Sequence, residues 1–295
     1  MRTRRKKSRE DYFMDVFNYF LLSIITLVTL YPFYFVLVAS FNDGIDTANG
    51  GLYLWPREFT LDNYKYFLQE AKWTVALGVT TLRTVVGTFL GVLFTSLVAY
   101  GLSKSDLIFR KFYFILVVIA MNVSGGLIAY YVVLNGIGLI NSFGVYVIPT
   151  MLNLFFLLIA VSFFREIPAE LGESARMDGA SELTIFLKII LPISLPLLAT
   201  MTLFIGASQW NSWVDSAYFV QFDHLRTVSY RMMEVINQTM LPTDSQTAQY
   251  TAQLQVTQFS VQMTALVISV FPIICVYPFL QKYFVKGMML GSVKG

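Results

Sequence analysis

Six segments of this 295-residue chain are each apolar enough, and long enough, to cross a hydrocarbon layer, which takes about 20 mostly apolar residues in a helix. They are Phe17–Ser40, Val75–Leu102, Phe112–Leu134, Val145–Phe164, Ile193–Tyr218 and Val261–Phe284. Only 13% of the residues are charged, against about 25% in soluble domains, so most side chains face something other than water. Because backbone polar groups must pair internally in lipid, these segments predict an all-α polytopic membrane protein with six transmembrane helices.

The Lys and Arg residues outside these segments predict the orientation. One side carries Arg2, Arg4, Arg5, Lys6, Lys7, Arg9, Lys104, Arg110, Lys111, Arg165, Arg176, Lys188, Lys282, Lys286 and Lys294. The other side carries Arg57, Lys65, Lys72, Arg226 and Arg231. Because cytoplasmic loops hold the excess of Lys and Arg, the first side is predicted to be cytoplasmic. An even number of spans then places both termini in the cytoplasm.

The same pattern predicts how the chain is organised. The apolar run after the basic start is too long for the core of a signal peptide, so we expect it to be a retained helix. The predicted parts are a basic cytoplasmic tail (1–12), a first transmembrane helix with an exterior loop (13–74), a core permease domain (75–284) and a cytoplasmic C-terminal tail (285–295). The core contains a cytoplasmic loop at 165–192 and an exterior loop at 219–260.

The cytoplasmic loop between the fourth and fifth spans is rich in charge and bounded by prolines. Pro168 suits the first turn of a helix, and Gly179 offers a break because glycine adopts positive φ at little cost. Ser181 can cap a second short helix, Glu182–Ile190, which Pro192 ends. The loop therefore predicts a helix–turn–helix outside the membrane.

Several kinds of chemistry are excluded by residue counts. Cys275 is the single cysteine, so a disulfide framework or a thiolate metal cluster within the chain is impossible. His224 is the single histidine, which excludes a site with several histidine ligands. No Gly-x-x-x-x-Gly-Lys-Ser/Thr phosphate loop occurs, so the chain cannot bind a nucleotide by that route.

The stretch from Glu173 to Pro192 resembles the coupling motif of bacterial ABC-importer permeases. That motif has a Glu-Ala-Ala triplet, a Gly four residues later and an Ile-x-Leu-Pro ending. Here the matching residues are Glu173-Ser174-Ala175, Gly179, Ile189, Leu191 and Pro192. Ser174 departs from the triplet but keeps the side chain small. The joint spacing is specific, whereas the triplet alone is not.

The remainder of the chain is similar to the carbohydrate-uptake (maltose-type) branch of that family. Pro56–Tyr64 resembles its first exterior loop, Ala99–Lys104 the end of its second helix, Trp210-Asn211 a pair in its fifth helix, and Lys286–Gly295 its glycine-rich ending. Within the branch, the sequence looks most like the oligosaccharide permeases of the Gram-positive "LplC/YtcP-like" kind. The resemblance covers nearly the whole chain.

The resemblance implies a MetI-like permease fold and a set of partners. It implies a second homologous permease subunit, two ATP-binding subunits that hold ATP and Mg, an extracellular solute-binding protein anchored as a lipoprotein, and an oligosaccharide substrate in a bacterial cell membrane. No cofactor is expected in this chain, and it is not expected to be an enzyme. The residues implied to couple to the ATPase are Glu173, Ser174, Ala175, Arg176, Asp178, Gly179, Ala180, Ile189, Leu191 and Pro192.

Polar side chains within the spans are the candidates for the substrate pathway, because polar groups in hydrocarbon usually face a cavity or a partner helix. They are Arg83, Asn122, Tyr130, Tyr131, Asn153, Gln209, Trp210, Asn211, Trp213 and Asp215. The cluster from Gln209 to Asp215 combines hydrogen-bonding groups with aromatic faces, which suits sugars. Helix-to-helix hydrogen bonds and interfacial aromatic belts would explain the same residues. Arg83 either pairs inside the protein or extends its side chain outward to the interface.

Three other functions compete with a carbohydrate permease. An ABC permease could carry a non-sugar solute. A secondary transporter would need repeats, broken helices and buried ionisable residues, and Arg83 and Asp215 are few and lie near span ends. A membrane scaffold would need neither polar helix faces nor a coupling loop.

Overall fold

The computed structural model describes residues 9–239 and 257–291, and these residues are organised as α-helices with one isolated β-bridge between Asn42 and Phe59. The predicted all-α class is confirmed. The helices are α1 (Arg9–Ser40), α2 (Gly44–Ala48), α3 (Asp62–Gln69), α4 (Ala71–Ser103), α5 (Arg110–Asn122), α6 (Gly126–Gly136), α7 (Gly144–Val147), α8 (Leu154–Arg165), α9 (Ala169–Met177), α10 (Glu182–Ile193), α11 (Leu195–Asn211), α12 (Val214–Phe219), α13 (Val228–Thr239) and α14 (Gln258–Gly291). Short 3₁₀ turns cover Ile148–Thr150 and Asp223–Leu225.

Three helices are long and apolar enough to cross a membrane by themselves: α1, α4 and the part of α14 up to Val276. Three further pairs of helices pass the same test together, and each pair is bent at a short break. Residues 9–239 and 257–291 therefore contain between three and six candidate spans, the upper number being the one that the sequence predicts. Predicted features at 1–8, 240–256 and 292–295 lie outside the described residues.

The third predicted span, Phe112–Leu134, is not a continuous helix. The chain turns by 116° between α5 and α6. Gly126 has a φ of +73°, which only glycine adopts without strain, and Asn122 ends α5 just before the turn. The Gly125-Gly126 pair therefore lies at a sharp break between the two helices.

The second helix of the predicted helix–turn–helix, Glu182–Ile190 in the sequence analysis, does not end before Pro192 but continues to Ile193. Residues 186–190 form a π-helical turn within it. The wider turn accommodates a proline, which has no N–H to donate and which clashes with the carbonyl four residues earlier in a regular α-helix. The actual break is an 84° bend at Ser194, whose backbone N–H donates to the carbonyl of Ile190 at 3.0 Å.

The chain divides into two compact units, the first made of described residues within 1–69 and 236–268. The end of α1 is linked to the loop that the sequence predicts to be exterior, because Asn63 Nδ2 donates to the carbonyls of Ser40 (3.1 Å) and Asn42 (2.9 Å). Phe41 stacks on Tyr64 with ring centroids 4.9 Å apart. Most side chains of α1 are exposed on this chain, which leaves a long apolar helix surface for lipid or for another subunit.

The second unit comprises described residues within 70–235 and 269–295, and α4 is its central helix. The buried face of α4 recurs every three or four residues and consists mainly of small and polar side chains. These include Ala76, Thr80, Arg83, Gly87, Gly91, Thr95, Ser96 and Ala99. Small residues permit close approach of helices where lipid removes most of the hydrophobic driving force. Around this face, α4 packs with α8 and α11, and one apolar core joins α4, α5, α8, α10 and α11.

Candidate functional site

The coupling segment, Ala169–Ile193, begins with a compact exposed helix. None of the residues of α9 is buried, and Met177 at its end is 88% exposed. A Schellman motif closes the helix: Ala180 N–H donates to the Ala175 carbonyl at 2.9 Å, and Gly179 N–H to the Arg176 carbonyl at 3.0 Å. Gly179 has a φ of +83°, the conformation that the sequence predicts at this break.

Ser181 caps the helix that follows. Its hydroxyl oxygen accepts from the Thr184 N–H at 3.3 Å, as expected from the sequence. The next turn then enters the apolar core, where Ile185, Phe186 and Ile190 are buried, while Ile189 and Leu191 pack against the core from its edge. An exposed helix is thus connected to a buried anchor through a turn of only a few residues.

A cluster of charged and aromatic side chains, here called the Glu182 cluster, ties the coupling segment to the end of α4. Glu182 Oε1 accepts from Arg176 Nε at 2.7 Å, and Glu182 Oε2 accepts from the Tyr100 hydroxyl at 2.7 Å. Lys104 Nζ lies 2.9 Å from the same carboxylate and 4.1 Å from the centroid of the Tyr100 ring. The hydrogen bonds from Arg176, Tyr100 and Lys104 lower the pKa of Glu182 from its ordinary value of 4.5 to about 2.

Sequence reasoning did not find the Glu182 cluster, although Arg176 was among the predicted coupling residues. Tyr100 and Lys104 lie four residues apart on one face of a helix end, which is a local signal. Nothing in the sequence relates that face to a carboxylate about 80 positions later.

A second cluster, here called the Arg83 cluster, lies in the N-terminal half of α4. The Arg83 side chain is 1% exposed, so the alternative in which it extends outward to the interface is wrong. Arg83 Nε donates to Gln209 Oε1 at 2.8 Å, and Arg83 Nη2 donates to Asp215 Oδ2 at 2.5 Å. Its third donor, Nη1, reaches the carbonyl of Ser212 at 3.1 Å, and its guanidinium carbon lies 4.6 Å from the Tyr146 ring centroid.

The Arg83 cluster is extended by two further hydrogen bonds. Gln209 Nε2 donates to Thr150 Oγ1 at 2.7 Å, and the Ser212 hydroxyl donates to Asp215 Oδ2 at 3.0 Å. The cluster therefore connects α4, the 3₁₀ turn after α7, the end of α11 and α12. Its side chains are occupied by one another, as expected of groups that hold helices together.

The other predicted pathway residues are dispersed. Asn153 caps α8 by accepting from the Phe156 N–H, and the Trp210 indole donates to the Ser269 carbonyl at 2.9 Å. Tyr130 and Tyr131 both pack on the Phe219 ring. Asn122 and Asn211 are exposed and donate to carbonyls of their own helices, while Trp213 is half-buried ahead of α12.

A groove of about 620 Å³ runs along α4, α11 and α14 within the second unit. Its lining is mostly apolar and includes Val85, Phe89, Leu203, Trp210 and Ile273. The hydroxyls of Thr88 and Ser96, which also line it, are buried and have no hydrogen-bond partner among the described residues. So apolar a lining is a poor surface for a sugar, which needs paired polar groups.

Comparison with known protein families gives one match that covers nearly the whole chain. The profile of a family described as "Binding-protein-dependent transport system inner membrane component" matches residues 1–290.

Two curated proteins of Bacillus subtilis (strain 168) are similar over almost their full lengths. Protein LplC is 35% identical over 283 residues, which covers 95% of this chain and 95% of LplC. The polygalacturonan/rhamnogalacturonan transport system permease protein YtcP is 36% identical, with 95% of this chain and 98% of YtcP covered. The galactooligosaccharides transport system permease protein GanQ of the same strain is 29% identical. The resemblance found in the sequence to proteins of the LplC and YtcP kind is confirmed.

A solved structure has the same fold. A chain of a bacterial ABC transporter involved in the import of the acidic polysaccharide alginate superposes with a TM-score of 0.88 and 27% identity, covering 95% of this chain and 99% of that one. A chain of an alginate transporter complex, at 13% identity and a TM-score of 0.54, shares the fold alone.

Proposed function

The chain belongs to the family of binding-protein-dependent transport system inner membrane components, and from this premise we propose that it forms half of the translocation pathway for an oligosaccharide. It is the membrane permease component of an ABC importer and not an enzyme. ATP and Mg are bound in this proposal by two separate ATPase subunits, and a second homologous permease completes the pathway. A solute-binding protein, anchored as a lipoprotein outside a bacterial cytoplasmic membrane, delivers the sugar.

The observation that best supports the coupling role is that the exposed helix α9 is joined by a short turn to α10, whose residues Ile185, Phe186 and Ile190 are buried in the core. A helix without buried residues has most of its surface available to a partner, and the Schellman closure at Gly179 makes it compact. Exposed apolar side chains at Leu171, Met177 and Leu183 give such a partner something to bury. Motion of the ATPases would pass through α10 to the core, because Ile185 and Phe186 are packed there.

The named relatives support an oligosaccharide as substrate, since YtcP and GanQ are named for polygalacturonan/rhamnogalacturonan and galactooligosaccharides. Within the proposed pathway, we distinguish two groups of residues by their hydrogen bonds and exposure. Arg83, Gln209 and Asp215 are occupied by one another, so we assign them to the frame of the pathway. The exposed amides of Asn122 and Asn211 and the half-exposed rings of Tyr130 and Tyr131 remain as candidates for contact with sugar, together with Trp213.

The coupling role is tested by oligosaccharide uptake in cells that carry Gly179→Pro or Glu173→Lys. Proline fixes φ near −65°, whereas Gly179 has a φ of +83°, so the turn cannot form. Glu173→Lys reverses a charge on the exposed helix. Both variants should insert in the membrane at normal levels and reduce uptake to background.

Gly78→Ala is the matched control, because Gly78 lies in α4, outside the proposed coupling segment, with nothing within 4 Å of an added Cβ. It should retain uptake. Normal uptake by Gly179→Pro would overturn the coupling assignment.

Failure of any ATPase to co-purify in mild detergent would count against the ABC assignment. Binding of oligosaccharides, peptides and lipids to the associated solute-binding protein tests the substrate class.

A further inference from the structure

A cavity of about 360 Å³ lies at the start of α5 and the end of α8, and no residue of the two clusters described above lines it. Four residues line it, and three of them are cations: Arg110, Lys111 and Arg165, with Phe114 as the fourth. Within residues 9–239 and 257–291, no carboxylate forms an ion pair with any of these cations. The Arg165 guanidinium makes a 3.4 Å hydrogen bond to the Leu102 carbonyl and lies 4.8 Å from the Phe114 ring centroid.

The position of the cations in the helices makes this arrangement unfavourable without an anion. Arg110 and Lys111 are in the first turn of α5, at the positive end of its helix dipole. Phe109, which precedes the helix, has a φ of +59° and supplies no side-chain acceptor for the free N–H groups of that turn. Two cations and a set of unpaired N–H donors therefore share one helix end, which is the arrangement that binds phosphate groups.

The surroundings of the cavity indicate that the anion comes from the bilayer. Ile108, Phe109, Phe112, Ile115 and Leu116 are all exposed large apolar residues next to the cavity or further along α5. An apolar helix face that begins at a cationic cavity matches a molecule with a charged headgroup and long acyl chains. The excess of cytoplasmic cations that sets topology explains why cations occur in these loops. It does not explain why three of them line one cavity.

We propose that this cavity binds the phosphate of an anionic phospholipid, with the acyl chains lying along the exposed face of α5. The inference rests on the proposed function only in placing this end of α5 at the membrane interface. Arginine suits the role because its planar donors match phosphate oxygens in pairs. A lipid bound in this cavity would hold the short connection between α4 and α5 against the end of α8. The end of α8 leads directly into the coupling segment.

The test measures lipid binding to the full chain in detergent by native mass spectrometry, with dioleoylphosphatidylglycerol as the anionic probe and dioleoylphosphatidylcholine as the neutral one. Wild-type protein should retain the anionic lipid in preference. Each cation near an anionic surface contributes about a fivefold factor, so Arg110→Gln/Lys111→Gln should weaken binding roughly 25-fold. Arg165→Lys keeps the charge but loses the paired donors, so it should weaken binding by only a few-fold, and it serves as the control for correct folding.

Lys65→Gln/Lys72→Gln is the matched control, because it removes two exposed cations from the first exterior loop and its border. It should bind the anionic lipid as wild type does. Equal retention of the two lipids, or equal loss in the control, overturns the proposal. Displacement of the lipid by millimolar inorganic phosphate, with no preference for the acylated probe, would assign the cavity to a free anion instead. Since no transport is measured, these outcomes are independent of the importer assignment.

Discussion

The Arg83 cluster and the Glu182 cluster use similar chemistry in the N-terminal half and at the C-terminal end of α4, but the first ion pair is buried and the second is exposed. The Arg83–Asp215 pair has side chains 1% and 20% exposed, whereas the Arg176–Glu182 pair has side chains 45% and 53% exposed. Arg83 and Tyr100, the α4 members of the two clusters, are separated by about 25 Å at 1.5 Å per residue.

The difference in burial separates a fixed end of the unit from an end that can rearrange. Removing one partner of a buried ion pair leaves an uncompensated charge and costs about 3–5 kcal/mol, whereas exposed pairs contribute about 0–1 kcal/mol. The Arg83 cluster should therefore keep α4, α11 and α12 together throughout a transport cycle. The Glu182 cluster can exchange its hydrogen bonds for water, which is consistent with the coupling role that we propose for this segment.

The largest expected effect is that of Asp215→Asn, which leaves Arg83 buried without its charge partner. The free energy of unfolding in detergent, measured with chemical denaturant, should fall by about 3–5 kcal/mol. The double substitution Arg83→Met/Asp215→Leu should recover much of this loss, because no charge then remains buried.

Lys65→Met is the control for this comparison, since it breaks the exposed Lys65–Asp62 pair. It should change the free energy of unfolding by no more than about 1 kcal/mol. If Asp215→Asn were as mild as Lys65→Met, the Arg83 cluster would not be the rigid end of the unit.

An intermediate effect is expected from Gly87→Ala. A Cβ at Gly87 would lie 2.8 Å from Gln209 Nε2, and that amide cannot move aside freely because it bonds Arg83 and Thr150 on its two sides. The substitution should lower the free energy of unfolding by about 1–3 kcal/mol through overpacking. Gly78→Ala in the same helix meets nothing within 4 Å and should instead raise it by about 0.5–1 kcal/mol. Equal effects of the two would refute the close packing of α4 on Gln209.

The smallest effect on stability is expected from Glu182→Gln, and it should depend on pH. The lowered pKa of Glu182 means that its ionised form stabilises the folded state above its ordinary pKa of 4.5, and that this contribution is lost as the pH falls towards 2. The difference in melting temperature between wild type and Glu182→Gln should therefore shrink from about pH 5 to about pH 3.

Glu170→Gln removes an exposed carboxylate from α9 and serves as the control for charge. Its difference from wild type should not follow the same trend. A pH-independent difference for Glu182→Gln would mean that the hydrogen bonds from Arg176, Tyr100 and Lys104 do not stabilise the ionised carboxylate.

The local features of the coupling segment could be predicted because each depends on a few neighbouring residues. Gly179 adopts positive φ, and Ser181 caps α10, as their residue types suggest. The end of α10 could not be predicted in the same way. Pro192 usually stops a helix, but a π-helical turn before it removes the conflict, and that turn is stabilised by packing of Phe186 and Ile190 in the core.

The sequence by itself determined the helical class, the positions of the long apolar segments and the family, because these follow from length, composition and local motif spacing. Only the tertiary structure decided what the polar residues in the spans do. Arg83 and Asp215 are 132 positions apart and Tyr100 and Glu182 are 82 apart, so no local pattern could pair them. Burial then decided their strength, since the same ion-pair chemistry is strong where water is excluded and weak where water competes.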